Sequence, residues 1–315
     1  MSGAPVQSHA FPKSAAVIGL GTMGPGIAAT LAYAGLRVSA YDADAAKREQ
    51  CPPHLAGAAI ALGALGLADR TAYPTVVHDS LGACVAGAEL VIETVPEDLE
   101  LKRRVFAEIE ALVDARCLIA SDTSGLPITR LAEGARHPER IIGMHWSNPP
   151  HLIPMIEVIP GERTAAEAVA AVTALIHRTG HRPILIRKDV PGFVENRVLY
   201  AIMRECVDLV EKGVISPADL DACVSWGIGY KLSVIGPMAL LDVAGLDIYA
   251  AVSRYLNREL SNRSDTADYI TERAARREFG LKSGRGIYTY TPESAAQLRT
   301  ARTAKLVAVR KALES

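Results

Sequence analysis

Ala15-Ala16-Val17-Ile18-Gly19-Leu20-Gly21-Thr22-Met23-Gly24 is the stretch on which the fold turns. Its first half is a short apolar run that reads as a buried strand. Residues 27–34 then supply helix-forming Ala and Leu until Gly35 ends the run. Leu36-Arg37-Val38-Ser39-Ala40-Tyr41-Asp42 follows with strand-like alternation. Strand, turn, helix and strand in this order make one parallel crossover unit.

Between that first strand and its helix, the three glycines have separate tasks. Gly19 permits the tight turn, Gly21 lets the backbone approach a pyrophosphate, and Gly24 lets the helix pack against the strand. The helix N-terminus offers free N–H groups and the positive end of its dipole to phosphates. Thr22 and Met23 lie within the same loop and are assigned with the glycines to the cofactor, as is Glu97. Asp42, closing the second strand, can accept from both adenosine ribose hydroxyls and repels a 2′-phosphate. The expected cofactor is therefore NAD rather than NADP, although Arg37, Lys47 and Arg48 leave a 2′-phosphate pocket open as an alternative.

Outward from this unit the pattern repeats. Residues 88–93, 117–121, 140–145, 155–159 and 183–187 read as strands, and 101–113 and 164–179 as helices. Such alternation implies a Rossmann-type doubly wound, mostly parallel α/β sheet. After Lys188 strand signals largely disappear, and 194–212, 216–225, 237–259 and 264–279 read as helices. Two domains follow, a dinucleotide-binding domain over 1–188 and a smaller all-helical one over 189–315.

The bulk numbers agree with two ordinary folded domains: 315 residues, 49% hydrophobic and 22% charged. A net charge of −1 gives no general attraction to nucleic acid or anionic membrane, so neither is expected as a partner. The five cysteines (Cys51, Cys84, Cys117, Cys206, Cys223) form no CxxC pair, so reduced thiols and no metal site are expected. No apolar run approaches the roughly 20 residues of a membrane span, and residues 1–13 lack a signal-peptide core. A cytoplasmic protein is the expectation.

His145 closes one expected strand and Glu157 sits in the next, with Asn148-Pro149-Pro150 at the return between them. A carboxylate bonded to one imidazole nitrogen fixes the tautomer and raises the basicity of the other. The free nitrogen can then take a substrate hydroxyl proton as hydride leaves for a nicotinamide. Strand ends are where such sheets bind their ligands.

Five motifs carry a resemblance: residues 19–24, Ser121-Asp122-Thr123-Ser124, residues 143–149, residues 189–197 and residues 282–288. With them the chain resembles the 3-hydroxyacyl-CoA dehydrogenase family over nearly its whole length. The resemblance implies a catalytic dyad of His145 and Glu157, with Ser124 and Asn196 binding the reacting oxygen and Asn148 holding the reactive end. It also implies a homodimer formed through the helical domain.

Three departures bear on the substrate. Residues 49–101 contain no Lys and one Arg, Arg70, whereas a CoA head group needs several cations or N–H donors. The strand end reads His145-Trp146-Ser147-Asn148, where the acyl-CoA members usually place aromatic pairs, and residues 227–233 are longer than their counterpart. Residues 122–129 and 146–157 most resemble the branch of the family that oxidises an aromatic aldehyde in vitamin B6 degradation. The expected substrate is therefore a small carboxylated aromatic aldehyde, oxidised to the acid as its hydrate. Lys231 and Arg197 are the candidate cations for its carboxylate, and Trp146 and Tyr230 the candidate rings to stack on it. Oxidation of a 3-hydroxyacyl-CoA or a gulonate-type hydroxy acid is the enzymatic alternative, and a crystallin-like NAD-binding structural protein the non-enzymatic one.

Overall fold

A computed structural model describes residues 11–66 and 74–315. Arg70, and most of the N-terminal segment read above as lacking a signal core, lie outside the described residues. The chain divides into two units. The first runs to Asn196 and takes back Leu306–Lys311, and the second is Arg197–Lys305 with Ala312–Ser315. This division falls eight residues beyond the expected boundary at 188.

In chain order the first unit contains β1 (Ser14–Ile18), α1 (Gly24–Tyr33), β2 (Arg37–Tyr41), α2 (Ala45–Ala64), β3 (Val76–Val77), α3 (Leu81–Val85) and β4 (Leu90–Glu93). It continues with α4 (Leu99–Leu112), β5 (Leu118–Ser121), α5 (Ile128–Leu131), β6 (Ile141–Trp146), β7 (Met155–Pro160), α6 (Ala166–Arg178) and β8 (Arg182–Leu185). The sheet order is β3-β2-β1-β4-β5-β6-β7-β8, parallel throughout except between β6 and β7. Chain order reverses between β1 and β4, which opens a crevice at their carboxyl ends.

Strand alternation divides the core into two layers. Ala15 and Val17 of β1 pack with Ile27 and Leu31 of α1 and Leu175 of α6. Ala16 and Ile18 pack on the other face with Phe106 and Ile109 of α4 and Ile128 of α5. Helices therefore cover both faces, and the central strands β1, β4 and β6 are apolar almost continuously because both sides are buried.

The helix α2 runs through Pro52 and Pro53. Neither proline has an N–H, so the carbonyls of Arg48 and Glu49 lose their helical partners. Packing of Cys51, Ala58 and Leu62 carries the helix past the gap.

The second unit contains the remainder of α7 (Glu195–Glu211), α8 (Pro217–Cys223), a π-helical turn at Val224–Gly229, α9 (Tyr230–Leu232), α10 (Pro237–Ala244), α11 (Leu246–Glu259), α12 (Asp268–Ala275) and most of α13 (Pro292–Glu314). The single helix expected over 237–259 is two helices. Gly245 separates them at φ +95°, where an added Cβ would also lie 2.8 Å from Asp247 Oδ1. The helix expected over 264–279 is confined to α12. Among the described residues, no single helix is long and apolar enough to cross a membrane.

One buried charge pair braces the sheet's carboxyl edge. Lys102 of α4 is 1% exposed, and its Nζ donates to Glu93 Oε1 at 2.7 Å and to the Val95 carbonyl at 3.0 Å. Glu93 also accepts from Ser121 Oγ at 2.8 Å and from Val95 N–H at 2.6 Å. Burial works to raise the Glu93 pKa, and Lys102 is the chief opposing influence. Lys102→Ala leaves that carboxylate buried and uncompensated, and is expected to cost roughly 3–5 kcal/mol, read as a lowered urea midpoint.

Candidate active site

Gly19 ends β1 at φ +102°, and an added Cβ would lie 2.8 Å from the Thr94 backbone. At Gly24 a Cβ would fall 1.9 Å from the Gly19 carbonyl oxygen. Gly21 differs, because a Cβ there would meet nothing within 4 Å. Its bare backbone faces open space beside the first turn of α1, whose N-cap residue Met23 makes no side-chain hydrogen bond. Thr22 is exposed on the same loop. The result is an open turn at a helix N-terminus, the setting in which backbone N–H groups receive a pyrophosphate.

Asp42 closes this turn at the end of β2. Its Oδ2 accepts from Leu20 N–H at 2.8 Å and its Oδ1 from Asp44 N–H at 2.9 Å. Each oxygen keeps a second lone pair for a ribose hydroxyl. Arg48 is committed to the Asp42 and Ala43 carbonyls, and Lys47 lies 3.6 Å from Asp42 Oδ2. These residues fit NAD.

Further along the same sheet edge, antiparallel pairing sets His145 directly opposite Glu157. His145 Nδ1 and Glu157 Oε2 are 2.7 Å apart, and both side chains are buried. Glu157 Oε1 accepts from the main-chain N–H groups of Val194 and Glu195, each at 3.0 Å. Burial favours the neutral form of His145. The hydrogen bond to Glu157 and the charges of Asp122, Glu157 and Glu195 outweigh it and hold the pKa above the ordinary imidazole value. Burial likewise works to raise Glu157, but the bonds from His145, Glu195 and Val194 leave it below the usual carboxylate range. With Nδ1 engaged, Nε2 is the nitrogen available for proton transfer.

Two further polar groups meet the dyad. Burial pushes Asp122 up to about 8, and its Oδ1 accepts from Trp146 N–H at 2.8 Å. Ser147 Oγ donates to Glu195 Oε1 at 2.6 Å. Neither Glu195 nor Asp122 stands out in sequence beyond being a carboxylate inside a conspicuous motif. One ligand-type atom each of His145, Glu157 and Glu195 lies within 4.8 Å of the others.

Ser124 and Asn196 are brought together, since Asn196 Nδ2 donates to the Ser124 carbonyl at 2.7 Å. Glu97, expected at the cofactor, holds this loop. Its Oε1 accepts from Thr123 Oγ1 at 2.6 Å, Ser124 N–H at 2.9 Å and Gly125 N–H at 3.1 Å. Trp146 is not a substrate platform. It points from β6 into the opposite core layer, 2% exposed, with its ring edge-on to His181. Asn148 is exposed just past β6. Arg197, Tyr230 and Lys231 belong to the second unit, where all three are exposed.

Residues 14–190 match the family described as 3-hydroxyacyl-CoA dehydrogenase, NAD binding domain, and residues 192–290 match its C-terminal domain. The chain belongs to the 3-hydroxyacyl-CoA dehydrogenase family. It is accordingly an NAD-dependent dehydrogenase. It is 56% identical over 304 residues to a 5-formyl-3-hydroxy-2-methylpyridine 4-carboxylate 5-dehydrogenase of Mesorhizobium japonicum, covering 96% of this chain and 98% of that one. A solved structure of a dehydrogenase of that name, described as an NAD+ dependent dismutase, superposes with a TM-score of 0.93 at 55% identity, over 96% of this chain and 99% of that one. An (S)-3-hydroxybutyryl-CoA dehydrogenase from Ralstonia eutropha superposes with a TM-score of 0.68 at 32% identity, over 89% and 99%.

Glu157→Gln keeps the shape of the dyad but removes its charge. The His145 pKa is then expected to fall, because burial is opposed by one anion fewer; an NMR titration of the imidazole reads the shift.

Proposed function

We propose that this member of the family oxidises a small carboxylated aromatic aldehyde, of the 5-formyl-3-hydroxy-2-methylpyridine 4-carboxylate kind, to the corresponding acid. The observation that carries the reaction type is the register-locked dyad, a buried imidazole with one nitrogen held by a carboxylate and the other available. The substrate class is supported by the 56% identity to the Mesorhizobium japonicum enzyme. It is supported too by the absence of Lys and Arg from residues 49–66, which include most of α2.

The reacting form is the hydrate, a geminal diol. His145 Nε2 accepts a hydroxyl proton as the C–H hydrogen departs with its electron pair, and Glu157 stabilises the imidazolium that forms. Bound NAD supplies the hydride acceptor. Ser124 and Asn196 hold the reacting oxygen. Cys51, Cys84 and Cys117 are poor candidates for a covalent thiohemiacetal, because burial pushes Cys51 up to about 11 and Cys84 and Cys117 up to about 12. The similar solved enzyme is described as a dismutase. The same reading gives this site the reverse task as well: imidazolium at His145 can protonate a second aldehyde during its reduction to the alcohol.

All five cysteines are free, in keeping with a reducing cytoplasmic setting. We also infer a homodimer. Helices α8 to α12 bury no residue, while Trp226, Met238, Val243 and Leu246 are 59–78% exposed. A helical unit with so little core needs its apolar faces covered, and a second copy is the economical cover. Sedimentation equilibrium is expected to give twice the chain mass, and a monomer at micromolar concentration would overturn the inference.

NADH formation measured against pyridine aldehyde carboxylate, 3-hydroxybutyryl-CoA, gulonate and carnitine tests the substrate. Turnover of the aldehyde is expected, with a loss of about 100-fold or more in His145→Ala. Efficient turnover of the CoA ester instead would return the chain to the parent activity.

A further inference from the structure

Ser147 and Glu195 are the part of the site that the oxidation just described leaves unused. Ser147 lies just past the end of β6, two positions after His145, and is linked to the dyad through Glu195. Its hydroxyl donates to Glu195 Oε1 at 2.6 Å, so toward the site its oxygen presents only lone pairs. Ser147 is half-buried, while Glu195 Oε2 is buried and without a hydrogen-bond partner. The Glu195 N–H bonds Glu157 Oε1 at 3.0 Å, which ties this pair to the dyad. The arrangement of His145 and Glu157 is thereby repeated beside itself, an acceptor at the site with a carboxylate behind it.

We propose that Ser147 and Glu195 form a second proton-accepting pair that serves the second hydroxyl of the hydrated aldehyde. The proposal rests on the aldehyde reading above. A secondary alcohol gives up one hydroxyl proton on oxidation. A hydrate gives up two, because its product leaves as a carboxylate. The C–H bond breaks and its hydrogen leaves with both electrons for NAD. One O–H proton goes to His145 Nε2. The other goes to Ser147 Oγ, as Ser147 passes its own proton to Glu195. The balance is a carboxylate, NADH, imidazolium at His145 and a neutral acid at Glu195, both of which later release their protons to water. Reduction of the aldehyde to an alcohol takes up a single proton, from His145, and does not call on the pair.

The difference between the two half-reactions supplies the test. NAD-linked acid formation and NADH-linked alcohol formation are each measured from pyridine aldehyde carboxylate. In Glu195→Gln, the ratio of the two kcat/KM values is expected to fall about 100-fold relative to the unsubstituted enzyme. Ser147→Ala is expected to move it in the same direction, and NAD binding followed by fluorescence reports that each variant is folded. Both half-reactions share His145, Glu157 and the cofactor loop, so damage to the scaffold lowers both together. A ratio within about twofold of the unsubstituted enzyme overturns the proposal. An unsubstituted enzyme that makes neither product overturns the aldehyde reading, and the pair with it, before any variant is made.

Discussion

Antiparallel pairing of β6 with β7 is the constraint from which the chemistry of this protein follows. Every other neighbouring pair in the sheet is parallel. The one reversal allows a short return through Asn148-Pro149-Pro150 and sets His145 and Glu157 face to face across adjacent strands. Directly opposed side chains of an antiparallel ladder lie close enough for a strong hydrogen bond without strain. A shift of one residue would send Glu157 into the opposite core layer with Ile156 and Val158, and strand alternation would leave His145 with an apolar partner.

That ladder fixes only one oxygen of Glu157. The other is held by two main-chain N–H groups at the start of α7, so the sheet edge and the beginning of that helix share a single carboxylate. A buried anion satisfied in this way keeps its charge, and its hydrogen bond, with the charges of Asp122, Glu157 and Glu195, holds His145 above its ordinary value against the cost of burial. Phe193, which is fully buried just before α7, packs its ring 5.7 Å from that of His145 and limits the water that reaches it.

A second buried charge organises the neighbouring loop. Lys102 joins Glu93 at the end of β4 and lies 3.6 Å from Glu97, whose carboxylate gathers the Thr123 hydroxyl and the Ser124 and Gly125 N–H groups. The loop bearing Ser124 is thus bound to the sheet through a network of hydrogen bonds as well as through the packing of Leu126 on the core. Glu97 thereby braces the loop that carries Ser124.

The sequence by itself determined the elements whose signals are local. A glycine turn between an apolar strand and an Ala-rich helix needs little context, and Gly19 and Gly24 prove sterically obligatory, whereas Gly21 is left bare. Continuous apolar runs marked the buried parallel strands for the same reason, since each is covered on both faces. Local reasoning failed at Gly245, which breaks a helix whose pattern reads as continuous. The dyad was legible because His145 and Glu157 sit on adjoining strands joined by a short return. The side on which Trp146 lies, the partners of Glu97, and the meeting of Ser147 with Glu195 depend on pleat direction and on residues 26 to 48 positions apart. Such contacts have no periodicity to announce them, and only the tertiary structure decided them.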